Sequence, residues 1–153
     1  MGDGAAIIGV LIVLAVILAV ATLVGAIILR AAVSLYNTMA GGANSTAAVP
    51  EPPMGKAMGI TFVTTLVNGV AGFIVGLVIG GAAAATGARG SGVEVTAQLV
   101  SLPISVLVMA GMLAAMLPTT FGRAILVTLC HFLISIVIAG GILVVCIVAF
   151  QLI

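Results

Sequence analysis

Charge is what this sequence has least of. Four basic and three acidic residues make 5% of its 153 positions, against roughly 25% in a soluble domain. That is too little charge to cover a surface facing water, so the solvent for most side chains is lipid. Basic runs are missing and the net charge is +1, which excludes nucleic acid as a partner. No carboxylate stands in the middle of an apolar run, which argues against a rotary-ring proteolipid or a carboxylate-coupled transporter. The two cysteines, Cys130 and Cys146, fall on one predicted helix, where they cannot bridge each other; they read as small apolar filler. The start, MGDGAAIIG, has no positive n-region, so no cleaved signal peptide is expected. Ala6 stands where a myristoylation signal favours Ser or Thr.

Catalytic signatures are missing too. No G-x-S-x-G elbow surrounds Ser101, Ser105 or Ser135, so a Ser–His pair with His131 is not supported. The stretch Gly87-Ala88-Arg89-Gly90-Ser91-Gly92 lacks the Lys-Ser/Thr ending of a phosphate loop and reads as a flexible turn. Met109, Met112 and Met116 share a helical face in the way a Cu(I) site needs, but core packing is the better reading. No enzymatic activity, cofactor or metal is expected.

What is present is long uncharged runs. Asp3, Arg30, Glu51, Lys56, Arg89, Glu94 and Arg123 divide the chain into runs at 4–29, 57–88, 95–122 and 124–153. Each exceeds the ~20 residues that a spanning helix needs. The reading is a single integral membrane domain over 1–153, an all-α polytopic bundle with four transmembrane helices near 5–36, 57–84, 97–117 and 123–152. The first helix is expected to run on past Arg30 to the Gly41–Gly42 stop. A Pro-rich loop, 37–56, links the first pair, and Pro50-Glu51-Pro52-Pro53 cannot be helical. Arg30, Lys56 and Arg123 are placed at the lipid headgroups. Set against Arg89 alone on the other side, they put loops 1–2 and 3–4 in the cytoplasm and both termini outside. The Asn44-Ser45-Thr46 sequon is then expected to be unused.

The two basic loops end alike, in Met54-Gly55-Lys56-Ala57 and Phe121-Gly122-Arg123-Ala124, an offset of 67 residues. The same offset lays Thr61 over Thr128, Asn68 over Ser135 and Gly72 over Ala139. This predicts two repeated helical hairpins in parallel orientation.

Residues 67–81, VNGVAGFIVGLVIGG, hold five glycines. Each helical residue turns ~100°, so Thr61, Thr65, Gly69, Gly72, Gly76 and Gly80 share one stripe. Small residues let helix backbones approach closely in lipid, where no hydrophobic force draws helices together. The stripe is therefore expected to be a helix-packing face. Thr128, His131, Ser135, Ala139, Cys146 and Ala149, and on the first helix Ala15, Ala19, Thr22 and Ala26, are possible partner stripes. Asn68, His131 and Ser135 form a candidate intramembrane polar site, since ionisable groups in a span are functional candidates by default. The expectation for His131 is a neutral, structural imidazole, bonded to a backbone carbonyl or to Ser135.

Leu35-Tyr36…Gly41-Gly42, followed by Phe121-Gly122-Arg123-Ala124, resembles bacterial members of the Yip-type (Ypt/Rab-interacting) integral membrane domain. The resemblance implies a polytopic helical protein with no catalytic residues. That family typically has five spans and this chain has four runs. The resulting expectation is a non-enzymatic scaffold or accessory subunit, its partners the bilayer and itself or other membrane proteins. The alternative is a small channel or permease lined by Asn68, His131 and small residues.

Overall fold

The computed structural model describes residues 3–87 and 90–151, without the side chains of residues 3 and 5. Among these residues there are four α-helices and no strand: α1 (Asp3–Met39), α2 (Met54–Thr86), α3 (Ser91–Met116) and α4 (Phe121–Gln151). All four are long and apolar enough to cross a membrane, and the chain is an integral membrane helix bundle.

The helix ends follow from local chemistry. α1 runs past Arg30 as expected and stops before Gly41 and Gly42, both at φ +97°, a conformation that costs an L side chain strain but glycine little. There the Gly42 N–H donates to the Asn37 carbonyl at 2.8 Å and the Ala40 N–H to Tyr36 at 2.9 Å, satisfying carbonyls that a helix end leaves free. α2 starts directly after Pro53, whose extended backbone (ψ 154°) precedes the first turn. It ends on Gly87 in the left-handed region, a common helix terminator.

Each helix packs on two others, α1 on α2, α2 on α3, α3 on α4 and α4 back on α1, while the backbones of the diagonal pairs stay apart among the described residues. The result is a four-cornered ring of alternating direction. Its tight core lies at one end only. Leu29, Val33, Ile60, Leu113 and Val127 are almost wholly buried there, beside loops 1–2 and 3–4. At the other end, every described side chain of α1 before Leu18 and of α4 after Ser135 is exposed. Lipid is as apolar as these Val, Leu and Ile side chains, so nothing in the solvent drives these halves together.

Loop 40–53 closes the packed end. The Asn37 side-chain amide donates to the Val49 carbonyl and accepts from the Val49 N–H, both at 2.8 Å and both buried. The Tyr36 hydroxyl donates to the Ala47 carbonyl at 3.3 Å. Val49 and Pro52 of the loop are themselves buried. Leu35-Tyr36…Gly41-Gly42 is thus the anchor of a structural lid.

Candidate functional site

Heights in the bundle are set by one close contact. Gly25 on α1 faces Thr61 on α2 so tightly that a Cβ on Gly25 would lie 2.5 Å from Thr61 Cγ2. Arg30 and Lys56 each lie five positions further toward the closed end, hence at one level. Lys56 and Arg123 each stand third in their helices, so three cations lie toward the same end of the bundle. Arg30 and Lys56 are exposed and Arg123 half-buried. Ala114, third from the end of α3, lies toward the same end, and Glu94 lies twenty residues beyond it. At 1.5 Å per residue that is about 30 Å, one hydrocarbon thickness. Cations on one side and Glu94 on the other thus stand where two interfaces would be.

The two similar helix starts also have similar surroundings. Ala57 and Ala124 are both fully buried. The Thr61 and Thr128 hydroxyls each donate to the carbonyl four residues back, Ala57 and Ala124, at 2.9 Å. The 67-residue offset also lays Thr64 over His131. Thr64 Oγ1 and His131 Nδ1 are both buried without a hydrogen-bond partner among the described residues, and so is Asn68 Oδ1. Thr64 and His131 stand eight residues from Lys56 and Arg123, about 12 Å in and close to the middle of the hydrocarbon.

Other expected roles turn out differently. The Ser135 hydroxyl does not reach the His131 ring; it donates to the His131 backbone carbonyl at 2.8 Å. A hydroxyl on a helix finds the carbonyl one turn back more easily than a side chain on its own face. Of the glycine stripe, only Thr61 touches another helix closely, at Gly25. Gly69, Gly72, Gly76 and Gly80 have nothing within 4 Å of a Cβ among the described residues, and the Thr65 hydroxyl donates to Thr61 of its own helix. The face of α2 turned inward instead carries Ala57, Ile60, Thr64, Asn68, Ala71 and Val75, roughly 90° round the helix from the glycines. On α1, Thr22 and Ala26 are buried while Ala15 and Ala19 are exposed; on α4, Thr128 is buried while Ala139, Cys146 and Ala149 are exposed. Met109 is buried in the core, with Met116 packed against it. Arg89, the single cation expected on the open side, lies outside the described residues.

One polar feature was not expected. Glu94, Gln98, Ser101 and Ser105 all line a cleft of about 520 Å³ on α3. Their spacing of four, three and four is a helical signature legible in the sequence, hidden there by the apolar residues between them. A second cleft, about 500 Å³ and almost wholly apolar, lies between α1 and α4 beside Tyr36, Leu129 and Cys130. Among the described residues, no three of His, Cys, Asp and Glu come together to hold a metal ion. No family model, curated protein or solved structure matches the chain.

Proposed function

We propose that this chain is a non-enzymatic scaffold or accessory subunit of a membrane assembly, packing against further copies of itself or against other membrane proteins. One observation carries the reading: half of the bundle is built to be finished by something else. The core ends near the bilayer middle, and beyond it α1 and α4 expose every described side chain. On the same side the glycines of α2 offer a bare backbone surface. Small-residue faces of this kind support close helix–helix approach in lipid. The Yip-type resemblance, which brings no catalytic residues, is compatible with such a role. The setting proposed with it is a bacterial inner membrane with both termini outside.

Native mass measurement and particle imaging of gently extracted protein test the reading. The expected result is a defined oligomer or a stoichiometric complex with another membrane protein. A lone, monodisperse four-helix bundle under mild extraction would overturn it. The second reading, a small channel or permease, is favoured by the unpartnered Asn68 Oδ1 and His131 Nδ1, since polar atoms in a span often mark a solute path. It predicts ion or solute flux in proteoliposomes that changes in the His131→Gln variant, where the scaffold reading predicts none.

A further inference from the structure

We propose that the polar face of α3 lines a water-filled, cation-preferring vestibule, entering beside Glu94 and ending near the bilayer middle at Ser105, Thr64 and His131. It is independent of the scaffold role.

The face is narrow and continuous. Glu94, Gln98, Ser101 and Ser105 fall within about 60° of one another on the helix and share one cleft. Carried on by the same periodicity, the stripe reaches Met109, which is buried in the core; Ser101 and Ser105 are half-buried on the way to it, while Glu94 and Gln98 are exposed toward the open end. From Glu94 to Ser105 is eleven residues, about 16 Å or half the hydrocarbon.

The polar groups on this face are unspent. The hydroxyls of Thr22, Thr61, Thr65, Thr96, Thr128 and Ser135 each donate to the carbonyl four residues back in their own helix. Ser101, Ser105 and the Gln98 amide have no such side-chain bond among the described residues. Pro103 stands between the two serines inside α3 and has no N–H to give the Leu99 carbonyl. Unpaired polar groups at membrane depth are tolerated where they are buried in protein or line water, and this face opens on a cleft. The neighbouring helices add more of the same kind. By helical rise Thr64 and His131 stand level with Ser105, and Asn68 with Ser101. Each carries a buried side-chain atom without a partner, and Thr64 is only 6% exposed.

Chemistry and closure define what enters. The lining is rich in acceptor oxygens, and among the described residues its charged member is Glu94; oxygen acceptors with a carboxylate at the mouth favour cations. Leu29, Ile60, Leu113 and Val127 fill the bundle beyond Ser105, and loop 40–53 covers them. The passage is therefore blind.

Single cysteines at Ser101 and Ser105 test this, in full-length protein lacking Cys130 and Cys146 and reconstituted in proteoliposomes. Controls carry the cysteine at Leu99 or Leu107, which are exposed on α3. Ser→Cys exchanges one atom, and elution volume reports that the fold is kept. Both serine sites are expected to react with a membrane-impermeant cationic methanethiosulfonate while the leucine sites do not. The cationic reagent should outpace an anionic analogue by on the order of tenfold, through focusing of the Glu94 field, and Glu94→Gln should erase that difference. Reaction at Ser105→Cys no faster than at Leu107→Cys would show a dry face and overturn the proposal. Equal rates for the two reagents would remove the cation preference. Spontaneous disulfide formation between two Ser105→Cys chains would make the face a protein interface instead.

Discussion

At the scale of the residue, Asn37 shows how one side chain can hold a loop over a bundle end. Its amide presents a donor and an acceptor at fixed spacing, and Val49 offers the complementary backbone pair. Both ends of that pairing are buried. Asn37→Ala leaves the Val49 N–H and C=O without partners, a loss of about 2 to 6 kcal/mol for two buried backbone groups. The expected outcome is a lower melting temperature in detergent and faster proteolysis within 40–53. Asn44→Ala, at an exposed position of the same loop, should change neither. Equal cleavage rates for the two variants would sink the lid assignment. None of this was readable beforehand: the motif Leu35-Tyr36…Gly41-Gly42 stood out in the sequence, but its hydrogen-bonding partner is a loop residue twelve positions on, with no periodic signature.

At the scale of the element, helix number, helix type and the Gly41–Gly42 stop were legible because they depend on apolar length and backbone freedom. Which face packs was not. In a water-soluble helix an apolar stripe marks the core, but here apolar residues surround every helix and the stripe has nothing to contrast with. Glycine spacing was used in its place: its first member, Thr61, meets Gly25 of α1 closely, but Gly69, Gly72, Gly76 and Gly80 have no other helix against them among the described residues. The α3 polar stripe was the more informative signal, since polar residues are rare enough here to point somewhere. Gly25→Ala separates these effects. Alanine is the better helix former by roughly 1 kcal/mol, so stabilisation is expected if nothing opposes the new Cβ. Thr61 does oppose it, and its hydroxyl bond to Ala57 holds the methyl in place. Overpacking of this kind costs about 1 to 3 kcal/mol, so Gly25→Ala should lower the melting temperature of the bundle. Gly72→Leu and Gly76→Leu should leave that temperature unchanged and disrupt the oligomer, and Ile74→Leu should do neither. A melting temperature raised by Gly25→Ala would refute the close contact.

At the scale of the whole molecule, the four-cornered ring agrees with two copies of one hairpin. The ring places α1 opposite α3 and α2 opposite α4. The 67-residue offset pairs Lys56 with Arg123 and Thr64 with His131. The two hairpins differ most in their first helices: α1 runs about nine residues past its cation to carry the lid, whereas α3 holds Pro103 within the helix and carries the polar face. This leaves one end closed, basic and capped, and the other open, with Glu94 at its edge. Positive charge is retained on the cytoplasmic side of membranes, so the capped end is expected to face the cytoplasm, with both termini outside. Cysteines at Asn44 and Ser91, both exposed, in a background lacking Cys130 and Cys146, read this directly. Asn44 is the better reporter within its loop because the neighbouring Ser45 hydroxyl is buried. An impermeant thiol reagent applied to intact cells should label position 91 and spare position 44 until the membrane is opened. Labelling of position 44 alone would invert the molecule and turn the mouth of the α3 vestibule toward the cytoplasm.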